Sequence, residues 1–157
     1  LIDGVPHAMT PSPVRKHSRL LIELSRLLGN ELAKAQASCG HCEVVAELDW
    51  IVNDDTVLRP DIAITCNDSG QFISKAPVVV VEILSPATAI KDRNIKFQIY
   101  EEKGVAYYVL ANPESASFEV FVLEQGKYIP ANELSSFNLP EGCVINLDFA
   151  AVVAAIS

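Results

Sequence analysis

The stretch APVVVVEILSP, residues 76–86, constrains the fold of this chain more than any other. Its unbroken apolar run is typical of a central strand that is covered on both faces. Glu82 nevertheless stands inside it, and an isolated ionised carboxylate is very costly in apolar surroundings. Glu82 therefore either lies at the edge of the sheet or meets a positively charged partner.

Length and composition predict a single folded domain over residues 1–157, with its core at about residues 11–130. The chain is 50% hydrophobic and 20% charged, which does not favour disorder. Its apolar runs are too short for a membrane helix, and its first residues lack the pattern of a signal peptide. We therefore expect a cytoplasmic protein without membrane contact, in which all four cysteines are free thiols.

The motif CGHC, residues 39–42, matches the local sequence of a disulfide isomerase site. That chemistry needs the first cysteine at a helix N-terminus, where its pKa is lowered. Here a helical pattern precedes the motif and a strand pattern follows it, so Gly40 is predicted to end a helix. A zinc site would add His41 and Cys66, but a second paired motif is absent from the sequence. We favour a plain turn over redox or zinc chemistry.

Hydrophobic periodicity predicts an α/β (α+β) fold with a central mixed sheet flanked by helices and an added hairpin. Pro60 interrupts the second strand and marks an edge, a bulge or a break. The predicted elements, in chain order, are a helix over 12–34, strands over 43–52, 56–65 and 76–84, a helix over 85–104, a strand over 105–113, a hairpin over 117–130 and a final apolar helix.

Two acids interrupt neighbouring strand patterns, and they suggest a metal site. If the second and third strands are neighbours, Asp61 and Glu82 meet at one end of the sheet. Two carboxylates that close together cannot both stay ionised without a cation. Mg²⁺ binds one or two carboxylates and keeps several waters, and the carbonyl of Ile83 offers a third oxygen. The alternatives are a solvated strand-end Asp61 and a Glu82 paired with Arg59 or a lysine.

The second helix begins just after Glu82 and presents a stripe of Asp92, Lys96 and Tyr100, spaced four residues apart. Lys96 can reach back over the end of the strand from this helix. Spacing alone favours the simpler interpretation, a surface pair between Asp92 and Lys96 worth a few tenths of a kcal/mol.

The segments RPDIAI (59–64), VVVEILSPAT (79–88) and KDRNIKFQIYEEKGVAYYVL (91–110) resemble a nuclease family. It is the "putative restriction endonuclease" family that is abundant in cyanobacteria, within the PD-(D/E)XK nuclease superfamily. The resemblance spans roughly Pro11 to Tyr128. It implies an αβββαβ core of the restriction endonuclease type, with Asp61 and Glu82 as catalytic, metal-binding acids.

One position departs from the superfamily pattern, because Leu84 stands where a lysine follows the second acid. The resemblance implies that this lysine is displaced onto the next helix, where Lys96 matches it as the third catalytic residue. Candidate accessory groups are His17, Glu23, Glu47 and Tyr100. The first three of these are also well explained as capping, surface or strand-edge residues.

The leading functional hypothesis is therefore a nuclease that hydrolyses DNA phosphodiester bonds with Mg²⁺ or Mn²⁺. The rival is a nuclease fold that has lost cleavage and serves as a binding or regulatory module. A third hypothesis, a redox protein using Cys39 and Cys42, conflicts with the context of the motif.

The charge of the chain bears on how it could hold DNA. A net charge of −8 leaves little cationic surface for a duplex. The apolar segments YYVL (107–110), FEVFVL (118–123) and the Ala-Val tail have no obvious cover in the sequence. We therefore expect a homodimer held by the strands of residues 105–130 or by the C-terminal tail.

Overall fold

The computed structural model describes residues 1–7, 14–85 and 89–157, with the backbone alone at 89–92. Its elements are α1 (Arg15–Lys34), α2 (Gln36–Cys39), β1 (Cys42–Ala46), β2 (Trp50–Asn53), β3 (Thr56–Leu58), β4 (Ile62–Cys66), β5 (Val79–Ile83), α3 (Ala89–Lys103), β6 (Tyr107–Asn112), β7 (Ser117–Glu124), β8 (Lys127–Pro130), β9 (Ser136–Asn138), a 3₁₀ turn (Pro140–Gly142), β10 (Val144–Asn146) and α4 (Phe149–Ile156).

A mixed sheet of six strands, in the order β1-β4-β5-β6-β7-β8, forms the centre of the described chain. β5 is antiparallel to β4 but parallel to β6. A parallel pair needs a crossover connection, and α3 supplies it. The strands β6, β7 and β8 then continue as antiparallel neighbours, with the predicted hairpin turn at Gln125 and Gly126. The predicted mixed sheet with flanking helices is confirmed.

The two faces of the sheet carry separate apolar layers, and β5 contributes to both. Val79, Val81 and Ile83 pack in the layer under α1, whose leucines recur every four residues along its buried face. Val80 packs in the opposite layer, beside Tyr100 of α3. Because side chains alternate along a strand, Glu82 lies on the same face as Val80, the face that α3 covers.

The first two predicted strands are each divided in the structure. Residues 43–52 form β1 and β2, with Glu47 between them in a left-handed conformation at φ 53°. Residues 56–65 form β3 and β4, and the predicted break at Pro60 is confirmed. The tail contains a hairpin of β9 and β10 that the sequence pattern did not reveal, before the predicted helix α4. The sequence predicts helix caps in TPSP (10–13) and at Ser85 or Thr88, and of these TPSP and Thr88 lie outside the described residues.

The expectation of four free thiols is wrong, because the cysteines form the disulfides Cys39–Cys143 and Cys42–Cys66. Cys42 and Cys66 lie directly opposite each other in the β1–β4 ladder. The expectation rested on the compartment rather than on local geometry, which tertiary pairing determines. Since Cys39 and Cys42 do not bond to each other, CGHC is no isomerase-type pair. The predicted turn is confirmed, with Gly40 at the end of α2.

The apolar segments that motivated the homodimer pack to different extents within the chain itself. Tyr107–Asn112 forms an interior strand, and its first five residues are buried. The C-terminal helix packs through a stack of Phe149 on Phe118, with ring centroids 4.5 Å apart, and Arg19 of α1 donates to the carbonyls of Ala155 and Ile156. The dimer prediction therefore loses the support of residues 107–110 and otherwise stays a prediction.

In the part of the chain that the structure describes, no helix combines the length and the apolar character needed to span a bilayer.

The two disulfides close loops of different length and should differ in their effect on stability. Cys39 and Cys143 are 104 residues apart, whereas Cys42 and Cys66 are 24 apart. By the entropy of the loops, replacing the first pair by alanine should lower the free energy of unfolding by about 1 kcal/mol more than replacing the second. Urea denaturation of the two double variants under oxidising conditions measures the difference. A larger loss from the Cys42, Cys66 variant would contradict this ranking.

Candidate functional site

The pairing of β4 with β5 brings the two predicted acids together. Ile62 of β4 is the partner of Val81 of β5, so Asp61 lies beside Glu82 one position further along the antiparallel ladder. The backbone N–H of Ile83 donates a hydrogen bond of 2.7 Å to Oδ2 of Asp61. Asp61 is thereby held by the strand that carries the second acid.

The local chain around Asp61 explains why its side chain is available. Pro60 ends the ladder of β3, and Asp61 stands in the gap before β4 begins. Its carbonyl accepts a hydrogen bond of 3.0 Å from the N–H of Glu47, which fixes the backbone of Asp61 at the end of β1. The carboxylate can therefore face the end of β5 instead of lying within a regular strand.

Glu82 is buried, with 8% of its surface exposed, and its partners come from α3. Lys96 Nζ donates to its Oε1 at 3.1 Å, and the hydroxyl of Tyr100 donates to the same oxygen at 2.6 Å. These two residues are one helical turn apart and therefore share a face of α3. Lys96 is thus the positive partner that the apolar strand requires. Arg59, the other candidate, pairs with Asp49 instead, at 2.7 Å.

Burial shapes the acid–base behaviour of Glu82 and Tyr100. Removal from water raises the pKa of Glu82, and the nearby charge of Asp61 raises it too, while Lys96 acts in the opposite direction. Burial also raises the pKa of Tyr100 well above its usual value, reinforced by the charge of Glu82. Tyr100 therefore stays a neutral donor to Glu82, and the carboxylate gains from any further positive charge brought to it.

His17 approaches the site from the first turns of α1. Its Nε2 lies 3.7 Å from Oδ1 of Asp61, and its side chain is only 12% exposed. The Asp61 carboxylate raises the pKa of His17, as do the more distant charges of Glu47 and Glu82, while burial opposes them. His17 Nδ1 is buried and has no hydrogen-bond partner among the described groups. One side of the imidazole is thus oriented by Asp61.

Not all of the accessory candidates lie in the site. Tyr100 and His17 lie in the site. Glu47 contributes the hydrogen bond from its backbone N–H to the carbonyl of Asp61, and its charge acts on His17. Glu23 does not contact these acids through any described bond and pairs with Arg26 on its own helix at 2.7 Å. The alternative surface pair of Lys96 with Asp92 involves the side chain of Asp92, which lies outside the described residues.

Tyr108 is a neighbour of the site that the sequence analysis missed. It is the β6 partner of Val80, so it lies on the same face of the sheet as Glu82. Its hydroxyl is buried without a hydrogen-bond partner in the described structure, and burial together with the charge of Glu82 raises its pKa. The only signal for it was the register between β5 and β6, which the sequence does not reveal.

The oxygen donors at this end of the sheet suit a hard divalent cation. Asp61 and Glu82 supply carboxylates from adjacent strands, and Ile83 adds a backbone carbonyl at the same end. Burial, and to a lesser degree the charge of Asp61, raises the pKa of Glu82, and a divalent cation would relieve the repulsion between the two acids. Asp61, Glu82 and the Ile83 carbonyl are therefore the groups that would hold Mg²⁺ or Mn²⁺.

The contact between His17 and Asp61 predicts a pH-dependent contribution to stability in metal-free protein. Because the folded-state pKa of His17 is raised above 6.5, protonated His17 stabilises the fold below that pH. The contribution disappears as the pH rises through the folded-state pKa. His17→Gln should therefore destabilise the protein more at about pH 5 than at about pH 8.5.

Urea denaturation in the presence of a chelator tests this, with Asp61→Asn, His17→Gln as the background that lacks both partners. An equal effect of His17→Gln at both pH values would show that the imidazole gains nothing from Asp61.

An uncharacterized protein, slr1290, from Synechocystis sp. (strain ATCC 27184 / PCC 6803 / Kazusa) is 31% identical over 157 residues, which cover 96% of this chain and 80% of that protein. A crystal structure described as a putative nuclease belonging to DUF820, from Anabaena variabilis ATCC 29413, superposes with a TM-score of 0.74 at 17% identity, over 96% of this chain and 87% of that one. The likeness to this structure shows a shared fold.

The family named Uma2 and described as "Putative restriction endonuclease" matches residues 1–151. The match spans nearly the whole chain and includes both acids, Lys96 and His17. This chain belongs to the Uma2 family.

Proposed function

We propose that this chain is a metal-dependent nuclease that hydrolyses DNA phosphodiester bonds. One observation carries the proposal: a buried carboxylate, Glu82, lies beside a second carboxylate, Asp61, and accepts hydrogen bonds from Lys96 and Tyr100. A buried acid that is repelled by its neighbour destabilises a fold and is typical of a functional site. Membership of the Uma2 family supports the same activity.

The metal, when bound, would polarise a phosphoryl oxygen and lower the pKa of a bound water. Asp61, Glu82 and the Ile83 carbonyl would hold it. Lys96 is the cationic side chain that approaches Glu82, at 3.1 Å. If a metal shares the charge of Glu82, the ammonium of Lys96 can donate a hydrogen bond to the attacking water or to the phosphate as negative charge develops there.

Two residues would act by position. Tyr100 fixes Oε1 of Glu82 through its hydrogen bond of 2.6 Å and so keeps the carboxylate aimed along the end of β5. His17 lies against Asp61 on the side away from Ile83 N–H, since the two contacts use different oxygens of the carboxylate. Both residues limit the conformations of the acids before a metal arrives, which lowers the reorganisation that binding requires.

The cytoplasm remains our predicted location. A reducing environment there would open both disulfides, because thiol pools keep cysteines reduced in that compartment. DNA remains the predicted substrate, and a homodimer the predicted assembly, because a net charge of −8 leaves a single chain few cations with which to hold a duplex.

The central prediction concerns Lys96. Lys96→Met should lower the rate of Mg²⁺- or Mn²⁺-dependent cleavage of plasmid DNA by about 100- to 1000-fold, because it removes charge stabilisation at the phosphate. Asp61→Asn should abolish both cleavage and metal binding. Rates are measured on supercoiled and branched DNA, with metal binding followed by calorimetry.

The matched control is Lys34→Met, since Lys34 is an exposed lysine paired with Glu31 at 3.0 Å on α1. It should leave cleavage unchanged. A wild-type protein that binds DNA and metal but cleaves neither substrate would favour the rival function, a binding module built on a nuclease fold.

Assembly is tested by light scattering at micromolar concentration. A homodimer should give twice the 17.1 kDa mass of the chain, and the mass should not change on dilution within that range. A mass of one chain at every concentration would show that the protein is a monomer and that the charge of the chain does not imply pairing.

A further inference from the structure

A second group of metal-ligating side chains lies away from the acids, where β1 begins and β4 ends. The ligand atoms of His41, Cys42 and Cys66 all lie within 4.8 Å of one another. Cys42 and Cys66 are opposite each other in the ladder and are joined as a disulfide. The backbone of His41 is held at the same place, because its carbonyl accepts a hydrogen bond of 2.8 Å from the N–H of Asn67.

A carboxylate stands next to the imidazole. Oε2 of Glu141 lies 3.2 Å from Nε2 of His41, and its side chain is mostly exposed, so it can adjust its position. The same ring nitrogen lies 2.8 Å from the carbonyl of Pro140. The 3₁₀ turn therefore brings a carboxylate and a carbonyl against one nitrogen of the imidazole.

We propose that the reduced protein binds Zn²⁺ at this place through Cys42, Cys66 and His41, with Glu141 as the carboxylate beside the imidazole. The disulfide and the zinc site would be two states of the same sulfurs. A dithiol reductant gives two electrons and two protons to the Cys42–Cys66 bond and becomes a disulfide itself. Zn²⁺ then displaces the two thiol protons to solvent and forms two Zn–S bonds.

The spacing suits zinc. Zn–S bonds of about 2.3 Å and Zn–N bonds of about 2.0 Å in a tetrahedron separate the ligand atoms by about 3.5 to 3.8 Å. The three atoms already lie within 4.8 Å of one another, so rotation of side chains is enough to reach this geometry without a change in strand register. Two thiolates and an imidazole are soft donors that select zinc, whereas the oxygens around Asp61 and Glu82 suit magnesium or manganese.

The other disulfide provides a comparison within the same molecule. Cys39 and Cys143 are almost fully buried. Among the described residues, they do not belong to the group of ligating side chains around His41. Their sulfurs undergo the same reduction. A response to zinc that is confined to Cys42 and Cys66 therefore reports a site and not a general property of reduced cysteine in this fold.

The test measures the alkylation rate of each cysteine in full-length protein reduced with a phosphine, with and without one equivalent of Zn²⁺. The thiolate is the nucleophile, and a bound metal occupies it, so zinc should slow alkylation of Cys42 and Cys66 by about tenfold or more. The rates at Cys39 and Cys143 should not change. Peptide mass spectrometry identifies each position, and circular dichroism verifies that the reduced protein is folded.

The variant His41→Ala keeps all four cysteines and removes one ligand. Loss of a direct ligand should weaken zinc binding at least as much as loss of a supporting group, which is about 10- to 100-fold. Asp61→Asn serves as the control, because it disables the separate acidic site and should leave protection of Cys42 and Cys66 intact. Zinc that leaves these two rates unchanged, or slows all four cysteines alike, would overturn the proposal.

Discussion

Glu82 brings an ionisable carboxyl group into the apolar layer between the sheet and α3, where ionisation is costly. Hydrogen bonds from Lys96 and Tyr100 offset part of this cost, while the adjacent Asp61 adds to it. Replacing a whole buried ion pair with well-packed apolar residues is often neutral or stabilising. The presence of the buried Glu82 carboxylate is therefore best explained by the cation that it can bind.

The arrangement of the sheet follows from that site. Asp61 needs the break at Pro60 to leave the ladder, and it needs β5 as an antiparallel neighbour to receive the N–H of Ile83. The donors to Glu82 need α3 to return over the same end of the sheet, which the parallel pair of β5 and β6 requires in any case. The crossover through α3 thus allows β5 and β6 to pair in parallel, and it also places Lys96 beside the buried Glu82.

The sequence was most informative where a local pattern and a chemical cost coincided. An acid inside VVVVEIL is rare enough to identify Glu82 as a candidate, and Pro60 identified the break next to Asp61. The contact of Lys96 with Glu82 could not be predicted from spacing, because the stripe on α3 taken alone favours a solvated surface pair. The family resemblance was what favoured a place for Lys96 in the site.

Features that depend on pairing between distant segments were not accessible. The disulfide of Cys39 with Cys143 requires knowledge of how the C-terminal hairpin folds back, and the position of Tyr108 near the site requires the register of β6 against β5. The left-handed conformation of Glu47 likewise divides a pattern that looked like one continuous strand. In each case a tertiary contact decided what local propensity left open.

A crystal structure of the protein grown with Mn²⁺ tests the central claim most directly, since the anomalous signal of manganese locates the ion independently of any assumption. We expect one peak at about 2.1 Å from oxygens of Asp61 and Glu82. We also expect Lys96 Nζ to move away from Oε1 of Glu82, because the ion takes over that charge. A structure that holds Mn²⁺ elsewhere, with Glu82 still bonded to Lys96 and Tyr100 as it is here, would contradict the account.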